Sequence, residues 1–191
     1  MSQYKDDAVR VIGIDPGSRL TGFGVVDCEN NRFKVVEYGV VRLKQVAIAP
    51  RLQQIFEQLR ALIERVRPDV FAIEQVFVAK NPSSALKLGH ARGAAMLAGS
   101  ICGLEISEYS ALQIKKAVVG RGRADKQQVQ QMVAMLLNLP ELPQSDSADA
   151  LAVALCHGQS SQLHQQICAQ YCQDQTGTQS KLAFRGRLRR T

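Results

Sequence analysis

The sequence has no long apolar run: every such run in its 191 residues is far too short to span a bilayer, so no membrane-spanning segment is expected. The opening MSQYKDDAV lacks the apolar core of a signal peptide, and nothing in it directs export. Cysteine lacks a paired framework. The five Cys are odd in number and irregular in spacing, which fits reduced thiols in a cytoplasmic protein rather than a disulfide scaffold. Internal repeats are absent too, and a chain of this length is most simply one domain with one core.

What is present is the composition of a soluble globular protein, 46% hydrophobic and 21% charged. The net charge is +7, unevenly spread, because the last eleven residues, KLAFRGRLRRT, hold five Lys or Arg and no acid. The rest of the chain is therefore only +2. Such a tail reads as a basic arm for a polyanion, with a merely solvated terminus as the equal alternative. Two regions result: a folded body over residues 1–158 and an extension over 159–191, Gln- and Ser-rich, partly helical, then basic and disordered.

Residues 9–15 have the pattern of a buried strand, and 21–28 and 32–41 of two more, joined by the polar turn Glu29-Asn30-Asn31. Short turns make these three an antiparallel meander. From Pro50 the period becomes helical through Leu52, Ile55, Phe56, Leu59, Leu62, Ile63 and Val66, until Pro68. The apolar strand Val70-Phe71-Ala72-Ile73 ends on Glu74, and the intervening helix favours a right-handed crossover with parallel pairing. An Ala- and Gly-rich helix over 82–100 follows, suited to close packing on the sheet or on a second subunit. Then come a strand over 104–109, a helix over 111–119 capped by Ser110, a basic glycine-punctuated loop at 120–126, an amphipathic helix around Val129–Leu137, and a last helix from Ser145 or Asp146. The expected fold is α/β, a mixed five-stranded sheet of three antiparallel strands plus parallel ones, flanked by helices.

Two apolar strands thus end on acids, Asp15 and Glu74, while Asp146 and Asp149 stand three apart in the first turn of the last helix and share a face. Singly, each has an ordinary explanation: a turn-former before Pro16-Gly17, a solvent-exposed strand end, a helix cap. Together they are more informative: if the crossover places the fourth strand beside the first, Asp15 and Glu74 approach each other. Carboxylates gathered in one cleft repel and raise each other's pKa unless a cation neutralises them. An all-oxygen donor set without His or Cys suits Mg²⁺, or Mn²⁺, rather than Zn²⁺. Two such ions are the usual device for in-line attack on a phosphodiester. Apart from these four acids and the basic tail, 19 bases stand against 13 acids, as a polyanionic substrate requires.

Four blocks, GIDPGSRLTGFGVV, AIEQVFVAKNPSSALKLGHARGAA, IKKAVVGRGRADKQQVQQMV and SDSADALAVALCH, resemble in order the RuvC family of bacterial Holliday-junction endonucleases. The resemblance covers about residues 9–158; the residues before Val9 and after Gly158 carry no motif of the family. It implies an RNase H-like fold, a homodimer, and Mg²⁺-dependent symmetric cleavage of four-way junction DNA in recombination and repair, with two ions per subunit. It also implies the RuvA–RuvB branch-migration complex as a partner and the cytoplasm as the place of action. The family's acidic positions fall on Asp15, Glu74, Asp146 and Asp149. Phe77 matches an aromatic that stacks on a base at the opened junction centre. Lys115 and Lys126 match basic positions near the scissile phosphate, Lys126 with a catalytic role, and Arg121 and Arg123 are assigned to backbone phosphates further out.

Other readings are weaker. An actin-like or sugar-kinase ATPase also opens with an IDxG-type strand, but it needs a second phosphate hairpin and a longer chain. A non-catalytic junction-binding module would use the acids only as caps, and a general RNase H-type nuclease would cut plain duplex and branched DNA equally. His157, His164, Cys168 and Cys172 superficially resemble zinc ligands, yet their spacing matches no standard finger, and reduced thiols account for them better.

Overall fold

The computed structural model describes residues 8–29, 32–43, 47–75 and 82–160. Strands β1 (Val9–Asp15), β2 (Leu20–Glu29) and β3 (Arg32–Arg42) form the expected meander. Helix α1 (Ile48–Val66) leads to β4 (Val70–Glu74), and α2 (Pro82–Ile101) leads to β5 (Glu105–Tyr109). Helices α3 (Ala111–Val119) and α4 (Lys126–Leu136) follow, and a last helix, α5, occupies residues 145–160. The sheet order is β3-β2-β1-β4-β5, with β1 antiparallel to β2 and parallel to β4, and β4 parallel to β5. Among the described residues no helix is long and apolar enough to cross a membrane.

Element ends follow local chemistry. α1 begins two residues before Pro50, because a proline in the first turn gives up an N–H that has no helical partner anyway. It ends with Arg67 in the left-handed region (φ 48°), whose N–H donates to the Ile63 carbonyl at 2.8 Å, before Pro68. α3 and α4 each open on a reciprocal capping box, Ser110 with Gln113 and Asp125 with Gln128.

Strand alternation divides the core in two. Ile12, Ile14, Phe71 and Ile73 face α1 and α2, where Ile55, Leu59, Leu62 and Ile63 meet Ala91, Ala95 and Ala98. Val11, Val26 and Ala72 face α3, α4 and α5, packing with Ile114, Val118, Val129, Val133, Leu151 and Leu155. The small residues of α2 therefore serve the core on one side: a Cβ on Gly99 would stand 2.9 Å from the Phe71 ring.

α5 approaches the sheet more closely still. Gly13 and Gly24 are cross-strand partners, and a Cβ on Gly13 would lie 2.2 Å from the Ala150 carbonyl oxygen, one on Gly24 2.7 Å from the Leu151 side chain. A Cβ on Gly22 would lie 2.0 Å from the Asp146 carbonyl oxygen, and one on Gly158 2.6 Å from Cys28 Sγ. α5 thus runs along β2, with 146, 151 and 158 over 22, 24 and 28. Twelve helical residues rise about 18 Å, and six strand residues cover about 20 Å, so the two elements keep step. Cys28 and Cys156 are buried free thiols along this contact, and burial pushes them up to about 12 and about 11, which leaves them protonated and unreactive.

Because backbone and not a flexible side chain opposes Gly13, Gly13→Ala is expected to lower unfolding free energy by about 3 kcal/mol. Ile12→Val on the other face of the same strand is expected to cost only about 1 kcal/mol. Urea denaturation followed by circular dichroism measures both.

Candidate active site

Alternation along β1 turns Val11, Gly13 and Asp15 to one face, and along β4 it turns Ala72 and Glu74 to that same face, the one covered by α5. The β1–β4 ladder ends at Ile14–Ile73, one residue before each acid. Beyond that point Asp15 pairs only with Gly22 of β2, and Glu74 only with Tyr109 of β5. A notch opens between them at the end of the sheet. The Asp146 backbone rests on Gly22, the residue opposite Asp15, so the first turns of α5 deliver Asp146 and Asp149 to the notch. Gln130 Nε2 donates to the Pro143 carbonyl at 2.7 Å, and Ser147 Oγ to the Gln144 carbonyl at 2.7 Å, fixing how the chain enters the helix.

The basic residues arrive on α3 and α4. The Asp125 cap accepts from the Gln128 N–H at 2.8 Å, which makes Lys126 the first residue of α4, and its Nζ stands 2.6 Å from Asp149 Oδ2. A cleft of about 210 Å³ adjoins this pair, lined by Glu74, Lys115, Lys126 and Asp149 over an apolar floor that includes Ile114 and Val129. Arg121 and Arg123 lie on the loop that joins the two helices, both exposed, on either side of the half-buried Gly122 and just before the buried Ala124.

The charges are coupled. Burial pushes the Asp15 carboxyl up to about 8, helped by Glu74, Asp149 and Asp146 and opposed by Lys126. Glu74 is raised in the same way, first by burial and then by Asp149, against the pull of Lys126 and Lys115. Burial works against the Lys126 ammonium, but its bond to Asp149 and the charges of Asp149, Asp15 and Asp146 outweigh that, and its pKa is raised. This is a site short of positive charge. Its donor set, four carboxylates without His or Cys, fits a hard divalent cation. Among the described residues no three His, Cys, Asp or Glu side chains are grouped closely enough to hold an ion, and Lys126 holds Asp149.

The structure therefore brings together six of the sequence-predicted residues: Asp15, Glu74, Asp146, Asp149, Lys115 and Lys126. Asp149 sits in the second turn of α5 rather than the first, because the helix begins at residue 145. Phe77 lies outside the described residues, as do His164, Cys168 and Cys172. His157 has a structural partner, its Nδ1 standing 2.9 Å from the Tyr109 hydroxyl with the rings edge to face. Sequence reasoning missed Gly13, Gly22 and Gly24, although their recurrence in GID and TGFG is visible once the strands are paired.

The family model described as "Crossover junction endodeoxyribonuclease RuvC" matches residues 11–157. The chain is similar to the curated crossover junction endodeoxyribonucleases RuvC of Magnetococcus marinus, 57% identical over 83% of this chain and 88% of the relative, and of Pseudoalteromonas atlantica, 57% identical over 80% and 88%. Among solved structures it is similar to Thermus thermophilus RuvC in complex with Holliday junction substrate, with a TM-score of 0.77 and 33% identity over 82% of this chain and 96% of that one. The yeast mitochondrial Holliday junction resolvase Ydc2 shares the fold, with a TM-score of 0.63 and 15% identity over 85% of this chain and 84% of that one.

Asp15 carries the sharpest pH signature. Its pKa is about 8 in the folded protein against an ordinary 3.8, so the native state holds the extra proton between these values. Stability in EDTA is then expected to fall as pH rises through that window, the loss being complete above about pH 8. Asp15→Asn is expected to flatten the profile and to melt higher than wild type at pH 8.5, with little difference at pH 4. Melting temperatures across this range, with and without Mg²⁺, measure the effect; added Mg²⁺ is expected to flatten the wild-type profile as well.

Proposed function

The chain belongs to the RuvC family of crossover junction endodeoxyribonucleases, a family of Holliday-junction resolvases, and on that premise we propose that Asp15, Glu74, Asp146 and Asp149 form the metal-dependent centre with which it cuts. Members of the family depend on metal ions. The observation that carries the assignment is the convergence on one notch of two strand-end acids and the acidic start of α5, with Lys126 already paired to Asp149.

The four carboxylates are the ligands for two Mg²⁺ ions per subunit, with Mn²⁺ as a substitute. Ions held there would supply activation of the attacking water and neutralisation of charge at the leaving 3′ oxygen. Asp15 and Glu74 are held by backbone ladders up to their own positions, and Asp146 and Asp149 by a helix in backbone contact with the sheet, so the ligands need little reorganisation. Lys126 is 61% exposed on its side-chain surface and can turn from Asp149 to the scissile phosphate, where its ammonium offsets the charge that builds on the non-bridging oxygens. Lys115, in the adjoining cleft, holds the neighbouring phosphate, while Arg121 and Arg123 reach the DNA backbone further out. Phe77, three residues past Glu74 in sequence, is assigned to stacking on an unpaired base.

A four-way junction is close to two-fold symmetric, and two symmetric nicks need two such sites. We assign the homodimer contact to the outer face of α2. Leu86 and Leu97 are 62% and 52% exposed there, and nothing lies within 4 Å of a Cβ placed on Gly89 or Gly93 between them. An apolar ridge with a shallow central groove suits a self-complementary contact. Family membership supports the remaining assignments: action in recombination and repair in the cytoplasm, with the RuvA–RuvB branch-migration complex as partner.

Asp15→Asn, Glu74→Gln and Asp149→Asn are each expected to bind a synthetic four-way junction about as tightly as wild type. In Mg²⁺ they are expected to cut it about 10³-fold more slowly or worse, as members of one catalytic unit do. Wild-type rates in Asp15→Asn would remove the metal assignment, and equal cutting of plain duplex by the wild-type protein would favour a general nuclease.

Leu97→Asp is expected to convert a dimer in solution, seen by light scattering, into a monomer that still binds Mg²⁺. A dimer that survives Leu86→Asp and Leu97→Asp together would place the contact elsewhere.

A further inference from the structure

We propose that Arg92 is a positioning residue for this centre: from the opposite face of the sheet it holds the end of β4, and through it the Glu74 carboxylate. The proposal rests on the reading of Glu74 as a metal ligand. Arg92 lies on α2, beside Ala91, and Ala91 and Ala95 are buried against the sheet, so the turn that carries it has a fixed place. Its Nε donates to the Glu74 carbonyl at 3.3 Å, and its Nη2 donates to the Glu108 carboxylate on β5. The side chain is only 19% exposed, unlike the exposed Arg60 and Arg65 pairs on α1, at 51% and 61%.

The location gives the contact its consequence. β4 loses β1 as a neighbour after Ile73, and from Glu74 onward only β5 runs beside it, through the Glu74–Tyr109 pairing and the Gln75 N–H to Tyr109 carbonyl bond at 2.8 Å. At this half-supported end the guanidinium ties the β4 backbone to the β5 side chain at Glu108. A fixed carbonyl fixes the peptide plane next to the Glu74 Cα and hence the direction of its Cβ, which leaves on the α5 face. A planar fork with separate Nε and Nη donors serves both partners at once, and a lysine ammonium on a flexible stem does so poorly. An exposed ion pair alone contributes little; the bond to the backbone of a metal-binding residue is what sets Arg92 apart.

The test is a Mg²⁺ titration of junction cleavage by full-length Arg92→Ala, Arg92→Lys and Glu108→Ala, with junction binding in EDTA and the melting temperature measured for each. Arg65→Ala, which breaks the exposed pair with Glu37, is the control. Loss of an outer support of a metal ligand is expected to raise the Mg²⁺ concentration for half-maximal cleavage by about 10-fold or more in Arg92→Ala. Arg92→Lys and Glu108→Ala are expected to fall between it and wild type, and excess Mg²⁺ to restore most of the rate, with binding in EDTA unchanged. A wild-type Mg²⁺ dependence in Arg92→Ala would overturn the proposal, as would equal losses of metal-free binding and thermal stability. If Arg92→Ala does not fold, the same titration of Arg92→Lys and Glu108→Ala decides. Glu74→Gln is assayed alongside: cleavage at the wild-type rate removes Glu74 as a ligand, whereas a dead Glu74→Gln beside an unaltered Arg92→Ala removes only the role of Arg92.

Discussion

The distance between α5 and the sheet is the constraint on which the rest depends. A helix packed through ordinary side chains stands off its sheet by the length of those side chains. Here Gly13, Gly22 and Gly24 leave β1 and β2 bare, and the backbone at Asp146, Ala150 and Ala154 fills the space. Glycine inside a strand is unfavourable, since it gives up side-chain packing and loses more entropy on folding. The compensation is a helix whose register against the strands is set by hard backbone contacts. Asp146 can then be placed over the cross-strand partner of Asp15.

That placement creates an electrostatic debt. Four acids are gathered at one end of the sheet, with Asp15 partly buried and its carboxyl driven towards the neutral form. Three things ease the repulsion without a bound ion: protonation of Asp15, the positive end of α5 near Asp146, and the Lys126–Asp149 pair. The first and third are reversible, and the second is a fixed field. The proton can leave, the helix end favours ionised carboxylates, and an exposed lysine can swing aside while its capped backbone stays put.

Much of this was legible in the sequence, for identifiable reasons. Strands that stop abruptly on Asp15 and Glu74, and a D-x-x-D pair opening an apolar helix, are local patterns, and the helix before β4 favoured a right-handed crossover with parallel pairing, which the sheet shows to be with β1. The caps at Ser110 and Asp125 are equally local, although only the Ser110 cap was anticipated. What could not be read depends on pairing across the chain. The glycine contact emerges only when the β1–β2 register sets Gly13 against Gly24, and Arg92 is one more basic residue in an Ala-rich helix until tertiary structure carries it to β4. His157 shows the same limit: its spacing was rightly set aside as a zinc pattern, but its actual partner, Tyr109, lies 48 residues away and has no local signal.

The two strand-end acids are not supported equally. Asp15 ends a strand flanked on both sides almost to its tip, and its last partner, Gly22, is pinned beneath the α5 backbone. Glu74 ends a five-residue strand whose outer neighbour, β5, is itself a short edge strand. Left to the ladder alone, the Glu74 side of the notch would be the softer one, and a notch walled by both acids is only as rigid as its weaker side. The α2 face supplies what the edge lacks, because Ala91, Ala95, Ala98 and Gly99 bring the helix close enough for an arginine to reach the strand end. Small residues thus do comparable work on both faces: glycines let α5 set the acids in place from the front, and alanines let α2 brace the wall from behind.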